Sequence, residues 1–302
     1  MKPVLIFDVK RYAINDGPGI RATIFFKGCP LSCKWCHNPE SISPSVQKLY
    51  TSSKCIGARE CIKVCDQRAL TLTREGIITD PERCNLCGAC ADACPSKAIE
   101  MSGEPYSIED ILKIINKERV MFDHSGGGVT FSGGEPLMHY KFLIELLDAC
   151  GQEGIHRTVD TSGYTSTDIL LEVAKRTDHF LFDIKLMDAA KHKHFTGVSN
   201  KLILKNLRTL AATGASINIR VPFIKGVNSD EDNIRKTAEF ISSLAGDKKS
   251  VNLLPYHNIA QKKYEKLGMG YDLNYMREPS REEQEHALSI FQSFGIEAII
   301  GG

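Results

Sequence analysis

The sequence lacks a charge excess: 38 Lys and Arg face 37 Asp and Glu, for a formal charge of +1. No basic field is therefore present to draw in nucleic acid, and no acidic tail is present either. It lacks any apolar run near the roughly 20 residues that a membrane-spanning helix needs. Its start, Met1-Lys2-Pro3-Val4-Leu5-Ile6-Phe7-Asp8, meets an acid too early for a secretory signal. Neither nucleic acid nor membrane is an expected partner, and the expected compartment is the cytoplasm. Cysteine is scarce outside one stretch. Of the 11 cysteines, all but Cys150 fall between Cys29 and Cys94. In a cytoplasmic chain such crowding argues for metal or redox chemistry and against a disulfide framework. Cys150 closes an apolar-periodic helix and reads as a buried structural thiol. With 302 residues and 42% hydrophobic content, the chain can build one large domain or two moderate ones.

What is there is organised around Cys29-Pro-Leu-Ser-Cys33-Lys-Trp-Cys36. Three thiols this close are one too few for a closed iron–sulfur cluster or a structural zinc site, each of which takes four ligands. Three cysteinates leave one iron open to an exogenous ligand. A zinc site completed by His37 is the bland alternative. The spacing Cys-x3-Cys-x2-Cys resembles the signature of radical S-adenosylmethionine (SAM) enzymes. Asp16-Gly17-Pro18-Gly19-Ile20-Arg21 upstream and His37-Asn38-Pro39-Glu40 downstream narrow the match to the glycyl-radical-enzyme activating enzymes. The resemblance implies that Cys29, Cys33 and Cys36 are the essential ligands of a 4Fe–4S cluster whose open iron takes SAM. It also places Trp35 beside the adenine and Asp16 near a peptide presented by the partner. For Trp35 ordinary packing is an equal reading. For Asp16 and Arg21 the bland reading is a Gly-Pro-Gly turn carrying solvated charges.

Residues 41–53 are rich in Ser and contain Pro44, which predicts a linker. Beyond them Cys84-x2-Cys87-x2-Cys90-x3-Cys94-Pro95 has the spacing of a bacterial ferredoxin run, whose fourth Cys serves the other cluster. Cys55, Cys61 and Cys65 form a damaged second copy in which Ala58 occupies a ligand position and Asp66 replaces the proline. The cross-over rule groups Cys65, Cys84, Cys87 and Cys90 around one 4Fe–4S cluster and leaves Cys55, Cys61 and Cys94 for another. That second site is a 3Fe–4S cluster, a 4Fe–4S cluster with a ligand such as Glu60, or a site that never fills. A zinc module is the bland alternative for the whole region. Residues 49–103 thus read as a ferredoxin-like insert of the two-cluster type, as some activating enzymes carry.

The flanking segments, 1–48 and 104–302, read as one α/β unit. Strands are expected at 4–9, 22–26, 129–131, 156–160, 179–184, 216–222, 251–255 and 295–300. Helices are expected at 107–121, 139–152, 167–176, 188–195, 200–213, 230–244 and 281–293. Ser107 caps the first helix, and Ile108, Ile111, Leu112 and Ile115 share its apolar face. Regular alternation argues a parallel sheet with crossover helices, and the resemblance implies a partial (β/α)6 radical SAM barrel. Ligand-binding residues should lie at the carboxyl ends of its strands. Asp160-Thr161-Ser162-Gly163, Asp183-Ile184-Lys185, Arg220 and Pro255-Tyr256-His257 fall there. Gly133-Gly134-Glu135 is similar to the family motif for the SAM amino group. By the same resemblance Asp183, Ile184 and Lys185 contact SAM, and His257 reaches its ribose. Asp160, Thr161 and Asp183 match a monovalent cation site, with helix caps as the bland alternative for the two acids. Lys191, His192, Lys193 and His194 read as a solvated helix face.

The function so implied is the reductive cleavage of SAM to a 5′-deoxyadenosyl radical that takes hydrogen from a Gly of a partner glycyl radical enzyme, anaerobically. The electron comes from the insert or from an external flavodoxin or ferredoxin. A radical SAM enzyme acting on another peptide or a small molecule is the near alternative. An iron–sulfur electron-transfer protein without catalysis is the distant one.

Overall fold

The computed structural model describes residues 3–247, 249–271 and 276–301. Strands β1 (Val4–Ala13) and β2 (Arg21–Phe26) form an antiparallel pair. The chain then leaves the sheet for β3 (Gln47–Tyr50), α1 (Glu60–Lys63), β4 (Leu70–Thr73), β5 (Gly76–Thr79), α2 (Ala89–Asp92) and β6 (Ile99–Ser102). It returns through β7 (Glu104–Tyr106), α3 (Ile108–Lys117) and α4 (Arg119–Ser125) to β8 (Gly128–Gly133). Strand and helix then alternate: α5 (Tyr140–Gln152), β9 (His156–Thr161), α6 (Thr167–Ala174), β10 (His179–Asp183), α7 (Ala189–Thr196), α8 (Lys201–Ala212), β11 (Ile217–Phe223), α9 (Glu231–Ser242) and β12 (Ser250–Pro255). The chain ends through α10 (Gln261–Lys266), α11 (Arg281–Ser293) and β13 (Ala298–Ile300).

The main sheet has nine strands in the order β13-β12-β11-β10-β9-β8-β2-β1-β7. From β2 to β13 every neighbouring pair is parallel, as crossover helices require. β1 and β7 close one edge in antiparallel fashion. Side chains from β1 and β2 (Asp8, Lys10, Phe25) and from β11 and β12 (Arg220, Leu254) line one cavity, so the open sheet curls around a lumen. The helices bury the outer face of the sheet: Leu143, Leu146, Leu147 and Cys150 of α5 are wholly buried, as are Leu207 and Leu210 of α8. Along β11 the burial alternates strictly: Ile217, Ile219, Val221 and Phe223 are buried, while Arg220 and Pro222 line the lumen and Asn218 a second cavity.

The parallel strands and their helices follow the sequence expectation closely. Ser107 caps α3 through a capping box with Asp110, and α11 spans the expected 281–293. Three expectations are corrected. The helix expected over 107–121 stops at Lys117, with Glu118 as the cap shared by α3 and α4. The linker expected over 41–53 contains β3, which pairs antiparallel with β6 from Gln47↔Ser102 to Tyr50↔Ile99. Its turn composition ends at Pro44, and the Tyr50 hydroxyl beyond it accepts the Ile77 amide at 2.8 Å. β7 was not foreseen; its Pro105 fits an edge strand, where a missing donor costs little.

Arg21 is the third correction, because its charge is not solvated. The side chain is wholly buried. It donates to Thr130 Oγ1 (2.7 Å), the Pro18 carbonyl (2.7 Å), the Val129 carbonyl (2.6 Å) and the His156 carbonyl (3.2 Å). Thr130 Oγ1 in turn donates to the Asp16 carbonyl at 2.6 Å. One guanidinium fork thus ties the 14–20 loop to β8 and β9, and burial lowers its pKa to about 10. Replacing it leaves buried carbonyls without a donor. Arg21→Met should lower unfolding stability by about 3 kcal/mol in chemical denaturation, and Arg21→Lys, a charge without the fork, should recover only part of that.

Candidate active site

The loop from Gly28 to Cys36 has no ladder of its own and is held by backbone hydrogen bonds from three directions. The 3-10 turn Pro39–Ser41 receives Gly28 N at Ser41 O (2.7 Å), and Ile42 O receives Cys29 N (3.0 Å). The end of α7 receives Ser32 N at Thr196 O (2.8 Å) and Lys34 N at Phe195 O (3.0 Å). Beyond β8, Glu135 N donates to Gly28 O (2.8 Å) and Gly134 N to Phe26 O (2.8 Å). A Cβ on Gly134 would stand 2.2 Å from Gly28 O, so only glycine permits this approach. Beneath the loop the buried Lys27 ammonium donates to Glu40 O (2.5 Å) and Gln47 Oε1 (2.9 Å). Burial lowers its pKa to about 8.

These constraints bring Cys29, Cys33 and Cys36 to one wall of a cavity of about 540 Å³. The same cavity is lined by Trp35, His37, Ser132, Gly133, Gly134, Asp160, Thr161, Ser162, Asp183, Lys185, Arg220 and Tyr256, with Asp16 on the side of the Asp8 and Lys10 strand. Burial pushes all three thiols up, Cys36 to about 12. Thiols raised in this way ionise against a strong positive charge, such as an iron ion would supply. Among the described residues no group of three His, Cys, Asp or Glu side chains converges tightly enough for a single metal ion.

Below the thiols lies a tier of paired charges. Lys185 Nζ is 2.7 Å from Asp183 Oδ2, and Arg220 Nη1 is 3.3 Å from Asp160 Oδ2. Ser132 Oγ also donates to Asp160 (2.7 Å). Glu135 is fully buried beside the cavity. Its carboxylate accepts from Thr161 Oγ1 (2.7 Å), Ser162 N (2.9 Å), Ser162 Oγ (2.5 Å) and Leu137 N (3.2 Å), while burial raises its pKa. Ser132 was not singled out from sequence, its only signal being that it adjoins the glycines; Ser162 lies in the strand end 160–163 where ligand-binding residues were expected.

Not every expected residue faces the cavity. Ile184 is buried in the main hydrophobic core, since alternation along the strand turns it away from Asp183 and Lys185. His257 sits at the rim, its side chain 55% exposed and 3.6 Å from Glu278. Trp35 packs with Leu186, Ile224 and Tyr256 and also lines the cavity. The solvated face expected for 191–194 is corrected at His192. That ring is buried, and its Nδ1 lies 2.7 Å from Val198 O and 3.0 Å from Thr196 Oγ1. It braces the turn that receives Ser32.

Apart from Cys150, which is buried in the main core, the remaining cysteines gather in two small cavities away from the lumen. Cys65, Cys84, Cys87 and Cys90 line one, with Lys48 and Met101. Cys55, Cys61 and Cys94 line the other, with Ala58 and Glu60. Leu70, Ile77 and Ile99 form a separate small core between them.

Asp160 gives a pH test. Burial raises its pKa to about 6, the Arg220 charge opposing and Asp183 adding to the rise. The folded chain therefore binds this proton more tightly than the unfolded chain. Stability referred to an Asp160→Asn variant should rise as pH falls from about 6 toward the usual carboxylate value of 3.8, and be lost again above about 6. Thermal melts of both proteins across that range check it.

Residues 23–241 match the Radical SAM superfamily. The chain is 43% identical over 301 residues to the trans-4-hydroxy-L-proline dehydratase activating enzyme of Clostridioides difficile, covering 99% of each chain. It is 39% identical over 277 residues to the choline trimethylamine-lyase activating enzyme of Oleidesulfovibrio alaskensis, covering 90% of this chain and 89% of that one. A crystal structure of a domain of pyruvate-formate lyase-activating enzyme from Bacteroides vulgatus aligns with 43% identity and a TM-score of 0.51, over 58% of this chain and 99% of that one. With its thiol triad facing a curled parallel sheet, the chain belongs to the radical SAM superfamily, in its branch of glycyl-radical-enzyme activating enzymes.

Proposed function

We propose that the lumen binds SAM against a 4Fe–4S cluster ligated by Cys29, Cys33 and Cys36, facing a glycyl segment of the partner enzyme. The observation that carries this reading is that the three thiols share one cavity with Gly133, Gly134, Asp183, Lys185 and Arg220. When bound, the cluster and SAM supply reductive C–S cleavage and the 5′-deoxyadenosyl radical that takes hydrogen from a Gly Cα of the partner glycyl radical enzyme. The chain supplies placement and dryness. Trp35 packs on the adenine, His37 and Tyr256 wall the cluster side, and His257 reaches the ribose from the rim. Gly133 and Gly134 let the methionyl amino group approach backbone closely, while Glu135 acts from behind by fixing Ser162 and Thr161. Lys185 and Asp183 face the methionyl end. Arg220 and Lys185 supply the positive charge that the resemblance assigns to a monovalent cation at Asp160, Thr161 and Asp183. Asp16, fixed by Thr23 Oγ1 at 2.7 Å, meets the incoming peptide.

The segment 49–103 acts as a ferredoxin-like insert. Cys65, Cys84, Cys87 and Cys90 hold one 4Fe–4S cluster, and Cys55, Cys61 and Cys94 hold a second cluster. The insert, or an external flavodoxin or ferredoxin, delivers the electron. The protein works in the reducing cytoplasm, where its thiols stay available for iron; among the described residues no helix is long and apolar enough to cross a membrane.

Iron-reconstituted protein with dithionite, SAM and a candidate glycyl radical enzyme should give 5′-deoxyadenosine together with an EPR doublet on the partner. Alanine at Cys29, Cys33 and Cys36 together should abolish both. 5′-Deoxyadenosine without a doublet on any glycyl radical enzyme would move the substrate elsewhere. A triple variant that still cleaved SAM reductively would remove the cluster assignment.

A further inference from the structure

The two halves of the insert share more than cysteine spacing. At a constant offset, left-handed backbone recurs: Gly57 (φ 71°) and Leu86 (58°), Arg59 (62°) and Gly88 (85°), Arg68 (50°) and Lys97 (49°). Non-glycine residues hold four of these six positions, a conformation that costs energy unless the surroundings require it. Sulfur contacts recur likewise, Ala69 N donating to Cys65 Sγ (3.3 Å) and Ala98 N to Cys94 Sγ (3.2 Å). The half containing Ala58 therefore keeps the ligand-loop backbone of its intact counterpart, and Ala58 takes the position of Cys87. Both positions are exposed. Nothing lies within 4 Å of a Cβ placed on neighbouring Gly57, and Ile56 is 71% exposed. Glu60, the nearby carboxylate in the cavity lining, is held by Lys63 Nζ at 2.7 Å.

Resting on the two-cluster reading of the insert, we propose that the Cys55/Cys61/Cys94 site is an exchangeable metal corner. It holds a cluster whose fourth iron, beside Ala58, is bound by solvent and leaves on oxidation. The balance is simple. A one-electron oxidant such as ferricyanide takes the 4Fe–4S core from the 2+ to the 3+ level. The corner iron breaks its bonds to three core sulfides and departs as Fe²⁺, and a 3Fe–4S⁺ core stays on the three thiolates. Ferrous iron and one electron restore the original core. The sister cluster, with four thiolates, is closed to this exchange.

The test uses the full chain, reconstituted anaerobically, with Cys29, Cys33 and Cys36 replaced by Ala because that triad also leaves an iron open. Ferricyanide should then produce a 3Fe–4S EPR signal and release iron. Ala58→Cys should abolish the signal and retain about one iron more per chain. Glu60→Gln should change neither. The unsubstituted chain saturated with SAM, which shields the triad's open iron, should give the same contrast if the triple variant folds poorly. A chain that keeps all its iron and gives no 3Fe–4S signal overturns the exchangeable corner, as does a signal that appears only in Glu60→Gln. Failure of the underlying reading looks different: iron content would then be unmoved by removing Cys55 and Cys84 together.

Discussion

Backbone hydrogen bonds to the Cys29–Cys36 loop replace the ladder that its sequence cannot form. A segment that brings three thiols within eight positions to one cavity avoids helical register, so most of its bonded amides find partners outside it. They find Ser41 and Ile42 on one side, Phe195 and Thr196 on another, while Gly28 O receives Glu135 from a third. Each supporting element has its own reason to be where it is. The turn at Pro39–Ser41 is held through Lys27, the end of α7 through His192, and the Gly134-Glu135 corner through the four donors to the Glu135 carboxylate. The loop is thus preorganised by groups that do not touch the chemistry.

The lumen is polar throughout its lower tier, and the protein offsets that with pairing. Arg21 saturates its fork with carbonyls, Arg220 faces Asp160, and Lys185 faces Asp183. Buried charges kept in pairs cost far less than the same charges alone. Lys185 and Arg220 therefore each have a carboxylate partner before any ligand enters.

The insert is a different kind of object. Its strands are short, its hydrophobic core is small, and its cysteines surround two cavities that the core alone barely organises. Small units of this sort draw much of their stability from bound metal. Its attachment is specific nonetheless. β3 pairs with β6 beside the main sheet, Lys27 reaches Gln47, and Lys266 of α10 lies 3.7 Å from Glu100 of β6. The same helix α10 holds Asn38 and Glu40 through Lys263, so insert and cluster loop share a support.

Local pattern alone determined the triad, the repeat with its missing thiol at Ala58, and the alternation of strands with capped helices. Each is a spacing rule written within a few tens of residues, as the Ser107 cap and the Ile111 and Ile115 stripe show. Tertiary structure decided what depends on distant partners. Whether Arg21 is solvated or buried turns on Val129 and His156, more than a hundred residues away. β3 exists because β6 is there to pair with it, and composition marked the same residues as linker. His192 is buried because Val198 and Thr196 offer it acceptors, although its neighbours are charged. Ile184 carries the right motif but packs into the main core, since a strand's alternation is set by packing. A side chain's type is legible from sequence; its direction is fixed only when the surfaces on either side are in place.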